Sequence, residues 1–265
     1  MDFHGEFKGY RVDTQKAVDV VGKMDLVVAL LTPSLDGSVS NSRQNVWTKT
    51  FTGVRYLIDR IAENTYLSFA RNMCIHTAKD CAVRNFNRVP DYYLWLDQDN
   101  VFPDDIFFQL HKHKVDIVSG SYARKGGAWE WVFRPTQEYR NWEAEGRHGL
   151  VECRYIGFGA ALIRGEVFEK VAPPWFCEET TKEKRDGKPV FHETGEDVYF
   201  CDKAREAGYK VWVDVDCHVG HMGATIWPKD AYLIHSAKAK TGDQEFRERG
   251  NTKLHLVQER REALS

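Results

Sequence analysis

Two continuous apolar runs constrain this chain more than any other feature: DLVVALLTP at 25–33 and DYYLWL at 91–96. Neither alternates in polarity as a half-exposed strand does, so each reads as a strand buried on both faces. Between them SFARNMCIHTAKDCAVRNF (68–86) repeats at helical spacing. Cys74, Ala78, Cys81 and Ala82 make its apolar stripe, and Ser68 is the candidate N-cap. Strand, helix, strand in that order favours parallel neighbours and an α/β protein. A chain of 265 residues suffices for one large domain of this kind or two small ones.

The remaining pieces extend the pattern. Pro103, Asp104 and Asp105 suit a first helical turn, and the helix is predicted through FFQLHKHK. VDIVSG (115–120) is the next strand, and GAALI (159–163) is a short strand before a helix opening at GEVFEKV. GEDVYFCDKAREAG (195–208) is a helix stopped by Gly208, and KVWVDVDCHVGHMG returns as a strand ending in His218 and His221. Residues 46–58 fit a strand or a short helix, and 129–150, rich in aromatic and charged residues, fit an irregular excursion or a small pair of strands. The charged, Gly/Pro-punctuated stretch 178–190 is a candidate mobile flap. Beyond 228 the chain turns polar and helical, so the expected division is a domain over 1–227 and an appendage over 228–265.

Composition narrows the partners. A formal net charge of -2 gives no broad electrostatic case for nucleic acid or a membrane surface. The 6 cysteines are scattered without a CxxC pair, which argues against structural zinc and for reduced thiols. The N-terminus lacks the pattern of a secretory signal, and no run approaches the ~18 apolar residues of a membrane span. A cytoplasmic protein with no transmembrane segment is expected.

The chemistry concentrates in LWLDQDNV (94–101). On extended backbone Asp97 and Asp99 share a face, about 7 Å apart. Like charges beside a sheet core are costly unless a cation or donors offset them. Mg²⁺ and Mn²⁺ suit that role, since they take one or two carboxylates and complete their shell from substrate oxygens. The plainer alternative is a pair of exposed acids opening a turn, with Asp99 or Asn100 as a cap. Glu196 and Asp197 read either as ordinary first-turn acids or as a site for a general base. His218 and His221 offer a metal nitrogen or a hydrogen-bonded histidine. GSYARKGG matches neither a dinucleotide nor a P-loop fingerprint, though its Arg124 and Lys125 can meet a diphosphate or stay solvated. HExxH is absent.

Taken in order, the TP-ended first strand, ARN in a helix, DYYLWLDQDNVFPDD, DIVSGSY, YIGFGAALI, EVFEKVAPPWF, GEDVYFCDKAREAGYKVWVDVD and HVGHMG resemble the GT-A glycosyltransferases. The nearest likeness is to the family-2-like group of bacterial and phage type, over residues 25–224 or so. The resemblance implies a GT-A (Rossmann-like) three-layer α/β fold with a mostly parallel central sheet. It implies a nucleotide diphosphate sugar donor, UDP-linked, held with Mn²⁺ or Mg²⁺. Asp99 would hold the metal, Asp97 would face ribose or metal-bound water, and His221, ahead of His218, would be the metal-side histidine. Thr32 and Pro33 would line the base and Arg71 the nucleotide; apart from the resemblance, Gln98 between the two acids and Arg124 of the basic loop are also expected to bind the donor. Gly157 to Gly159 would precede the acceptor side, where Asp197 would be the base of an inverting transfer and Glu196 its neighbour. The acceptor hydroxyl would belong to a glycan, a lipid-linked sugar, a protein or another molecule. LLTPSLDGS departs from the usual first loop, and 178–190 is longer than the simplest pattern. Two other classes stand beside this one: a nucleotide-sugar hydrolase or nucleotidyltransferase, and a non-catalytic carbohydrate-binding protein.

Overall fold

The computed structural model of the chain describes residues 23–34, 39–63, 66–124, 131–136, 148–185 and 188–222. The expected appendage over 228–265 lies outside the described residues.

The first apolar run forms β1 (Met24–Ser34), in the middle of a parallel trio. After it come α1 (Asn41–Gly53), β2 (Val54–Glu63), α2 (Leu67–Phe86) and β3 (Tyr92–Leu96), and β1 pairs in parallel with both β2 and β3. Its side chains alternate between two cores. Val27, Ala29 and Leu31 join Cys74, Ile75, Ala78 and Ala82 of α2, while Val28 and Leu30 face the opposite way toward Val46 of α1. Both faces are covered, which is why the run has no polar alternation; each of its buried valines and leucines contributes about 1.5–3 kcal/mol by leaving water.

Residues 46–58 turn out to span the end of a helix and the start of a strand. The Ser40 hydroxyl caps α1 by accepting from the Arg43 N–H at 3.3 Å. In α2 the N-cap is Tyr66 and makes no side-chain cap bond, so Ser68, the expected cap, lies inside the first turn. The helix closes on Asn87 in the left-handed region at φ 54.

Beyond β3 the chain forms β4 (Asn100–Val101), α3 (Ile106–His111), β5 (Ile117–Ser121), β6 (Phe133–Pro135), β7 (Leu150–Ile156), β8 (Ala160–Arg164) and α4 (Gly165–Lys170). Then follow β9 (Glu179–Arg185), β10 (Lys188–Thr194), α5 (Glu196–Glu206), β11 (Val211–His218) and β12 (Gly220–His221). Eight strands make the central sheet in the order β2-β1-β3-β8-β5-β11-β7-β6. Residues of α2, α4 and α5 pack in the core on one face, and those of α1 and α3 on the other, giving three layers.

The expectation of a mostly parallel sheet is wrong. Only β1–β2, β1–β3 and β5–β11 are parallel, whereas β3–β8, β5–β8, β7–β11 and β6–β7 are antiparallel. Parallel neighbours need a crossover that carries the chain back to the sheet's other end, usually a helix. β8 pairs antiparallel with both β3 and β5, so it starts at the end where they finish and runs back between them. The stretch read as a flap is a hairpin: β9 and β10 pair antiparallel with each other from Glu179↔Thr194 to Arg185↔Lys188, directly before α5.

Candidate functional site

β3 stops at Leu96, and the next residues turn rather than extend. The Asn100 N–H donates to the Asp97 carbonyl at 3.2 Å, and the Asp97 N–H donates to the Gly159 carbonyl at 3.1 Å. Asp97 and Asp99 therefore diverge instead of sharing a strand face. The Asp97 oxygens accept from both terminal nitrogens of Arg71, at 3.1 and 3.0 Å. Asp99 Oδ2 instead lies 3.7 Å from Nε2 of His221.

Arg71 is an inward clamp. It leaves α2 buried, and its Nε also donates to Glu196 Oε1 at 3.2 Å, so one cation joins α2, the end of β3 and the start of α5. Its guanidinium lies over the rings of Trp95, Phe158 and Phe176, 5.3 to 5.9 Å from their centroids. Burial pulls its pKa down, but the charges of Asp97 and Glu196 outweigh this and keep it protonated. Burial pushes the Asp97 carboxyl above its ordinary value; Arg71 counters this, and the charges of Asp99 and Glu196 add to it.

Glu196 and Asp197 occupy the first turn of α5. Asp197 Oδ1 accepts from the Val198 N–H at 2.7 Å. Burial, then the charge of Glu196, raise the Asp197 carboxyl above its usual range, against the opposing pull of the Val198 N–H and Arg71. A carboxylate raised this way is a stronger base, which is what proton removal from a hydroxyl requires.

His221 is carried by a two-stranded ribbon in which β12 pairs antiparallel with β4, Gly220 opposite Val101 and His221 opposite Asn100. Buried Asn100 donates its amide to the Gly220 carbonyl at 3.1 Å, and the Met222 N–H donates to the Asp99 carbonyl at 2.7 Å. His221 Nδ1 lies 2.9 Å from the Ala123 carbonyl, an acceptor only, so Nδ1 carries a proton there and Nε2 is the ring nitrogen turned toward Asp99. His218 sits apart at the end of β11, its Nδ1 3.5 Å from the Ser121 hydroxyl.

A cleft of about 190 Å³ opens here, lined by Pro33, Ser34, Leu67, Ala70, Asp97, Gln98 and Asp99. Its lining combines apolar side chains with two acids. Thr32 is fully buried, and its hydroxyl accepts from Arg43 Nε at 2.6 Å while Arg43 pairs with Asp59. Arg124 is exposed, next in the chain to the Ala123 that holds His221. The structure thus gathers Pro33, Asp97, Gln98 and Asp99 at one cleft, sets His221 beside Asp99, and links Glu196 to Asp97 through Arg71. Thr32 serves as support for Arg43.

Three residues of this region make contacts that their place in the sequence does not announce. Tyr122 accepts from the Gly159 N–H at 2.8 Å; the tyrosine closing SGSY beside a later GFG was the available signal. Asn100 is the ribbon's cross-link. Asn72 accepts from the N–H groups of Trp175 and Phe176, at 3.0 and 3.3 Å, and donates to the Phe176 carbonyl at 2.7 Å, fixing the PPWF loop. All six cysteines are unpaired, and burial pushes Cys74 and Cys153 up to about 12, so neither offers a thiolate. No helix among the described residues is long and apolar enough to cross a membrane.

No family model matches the chain, and no curated protein matches it. Among solved structures it is similar to A197 from STIV, with 21% identity and a TM-score of 0.50, over 76% of this chain and 91% of that one. That likeness concerns the fold alone. A second similarity, to GalNAc-T7 solved with UDP, GalNAc and Mn²⁺, has 13% identity and a TM-score of 0.44, over 75% of this chain and 44% of that one.

Proposed function

We propose that the chain is a metal-dependent glycosyltransferase that moves a sugar from a nucleotide diphosphate sugar to an acceptor hydroxyl, with Asp197 as the base of an inverting transfer. The observation that carries the reading is the pair formed by Asp99 and His221. The imidazole is fixed through Nδ1 by a backbone carbonyl, and its Nε2 faces, 3.7 Å away, the carboxylate of Asp99, which lines the cleft. Cis ligands of an octahedral ion, each about 2.1 Å from it, lie about 3.0 Å apart, so Asp99 and His221 would draw together by less than about 1 Å to hold Mn²⁺ or Mg²⁺. Among the described residues no group of three or more His, Cys, Asp or Glu converges, so the remaining oxygens of such an ion would come from substrate and water. The bound ion would neutralise charge developing on the leaving diphosphate.

The chain's own groups divide the remaining work. Pro33, Leu67 and Ala70 give the cleft apolar lining suited to a base and ribose, and Gln98 stands between the two acids in the chain. Arg71 neutralises Asp97 and Glu196 and so holds the acidic turn and the start of α5 at a fixed separation. Asp197, raised by burial and by Glu196, takes the proton of the attacking hydroxyl. The likeness to the GT-A glycosyltransferases supports the reaction class.

The test pairs product analysis with binding. The wild-type chain with Mn²⁺ and the right nucleotide sugar yields a new glycosidic bond. Asp197→Asn lowers that rate by about 10²–10⁴-fold while donor affinity, measured by calorimetry, stays within about twofold. Full activity of Asp197→Asn overturns the base assignment. Free sugar or nucleotidyl transfer without a glycoside overturns the reaction class in favour of a hydrolase or nucleotidyltransferase, and glycan binding without nucleotide-sugar binding favours a carbohydrate-binding protein.

A further inference from the structure

The strand β5 ends in Ser121, and the two residues that follow touch both sides of the site. Tyr122 is buried, and its hydroxyl accepts from the Gly159 N–H at 2.8 Å. Gly159 in turn accepts from the Asp97 N–H through its carbonyl, so the residue gripped by Tyr122 also anchors the acidic turn. The Tyr122 ring meets the His221 ring edge-on, with centroids 5.6 Å apart and planes at 85°. Ala123, next in the chain, accepts from His221 Nδ1.

The fit leaves no slack. A Cβ at residue 159 would lie 2.7 Å from the Tyr122 hydroxyl and 2.8 Å from Asn100 Oδ1, and one at residue 157 would overlap the same hydroxyl and Val132. The glycines of GFG are therefore the complement of Tyr122: the strap is bare because the hydroxyl occupies the space side chains would fill.

We propose that Tyr122 is a positioning residue: its ring sets the orientation of His221, and its hydroxyl sets the Gly157–Gly159 strap and, through it, the Asp97 turn. The effect on sugar transfer rests on the glycosyltransferase reading, whereas the placement of His221 does not. Two substitutions separate the parts. Tyr122→Phe keeps the ring and removes the hydroxyl; Tyr122→Leu removes both.

Nitrogen-resolved NMR of the His221 ring, on the chain without metal, reads the placement directly. Wild type and Tyr122→Phe show the Nδ1–H tautomer, and Tyr122→Leu shows an averaged imidazole. Calorimetry with Mn²⁺ and a nucleoside diphosphate then gives Tyr122→Phe within about twofold of wild type, and Tyr122→Leu weaker by about tenfold or more, as for other groups that orient a metal ligand. In transfer assays Tyr122→Phe lowers kcat by about tenfold with little change in donor KM. A purely structural tyrosine would instead lower all three readouts in step with Tm. A retained tautomer and Mn²⁺ affinity in folded Tyr122→Leu overturns the proposal. Absence of Mn²⁺ binding in wild type with the tautomer pattern as described overturns the functional reading and leaves the placement of His221 standing. Should Tyr122→Leu fail to fold, Gly159→Ala presses on the hydroxyl from the other side, and an unchanged kcat in that variant overturns the strap role.

Discussion

Replacing Arg71 with Met tests the clamp most directly. The Arg71 side chain is 2% exposed, and the carboxylates it holds, Asp97 and Glu196, are 21% and 12% exposed. Methionine keeps much of the volume over Trp95, Phe158 and Phe176 but leaves the two acids facing one another without a cation. Removing one partner of a buried ion pair costs about 3–5 kcal/mol, and the residual solvent contact of both acids puts this case near 3 kcal/mol. In a domain of this size that is roughly 6–12 °C of Tm, at about 2–4 °C per kcal/mol. The pH dependence carries the mechanism. In the variant the Asp97 carboxyl, already raised by burial and now without the opposing pull of Arg71, has a folded-state pKa above its unfolded value near 4. A raised folded-state pKa stabilises the fold below the unfolded value, and that stability is lost as pH rises through the folded one. Urea titrations at pH 5 and pH 7.5 should therefore show the deficit of Arg71→Met shrinking at the lower pH. A loss under about 1 kcal/mol, or a deficit equal at both values, would refute the reasoning that Arg71 is present to neutralise these two acids.

Other outcomes follow from the same geometry. The base must be ionised, and burial and Glu196 hold Asp197 above the ordinary carboxylate range, so kcat should fall as pH drops through that raised value. Glu196→Gln removes the second of those causes and should move this acid limb to lower pH; a limb that stays in place argues against the coupling. Asn72→Ala removes the three hydrogen bonds that fix Trp175 and Phe176, and should cost about 2–3 kcal/mol in urea denaturation, with a change in tryptophan fluorescence from the loop.

What the sequence showed, and what it hid, has a physical pattern. β1 and β3 were legible as unbroken apolar runs buried on both faces, and α2, α5 and β11 because each buries apolar side chains at its own period. α1 was not, since Val46 is the only apolar residue among its buried positions; the others are Arg43 and Thr50. Its inner face is held by Arg43 bonding to Thr32 and Asp59, which a search for apolar spacing passes over. The direction of β8 was hidden too, because GAALI reads the same whichever neighbours it joins. At the site, the residue types at 97, 99, 196, 197 and 221 could be read off the chain, but not which of them face one another. Arg71 decides that by drawing Asp97 inward, and Ala123 does so by turning His221 toward Asp99.

The position of β8 bears on how the protein comes into being. Within the sheet, the parallel trio β2–β1–β3 and the parallel pair β5–β11 are joined only through β8, although β8 is synthesised after β3 and β5. A nascent chain that has extended only through β5 holds the trio and an unjoined strand, and the seam between them waits for residues 160–164. The bond from Asp97 to Gly159 forms at that same seam. The joining of the sheet thus supplies one bond of the acidic turn and the later Met222 bond to Asp99 another, and a half-made chain carries the LDQDN sequence without the arrangement that gives it chemistry.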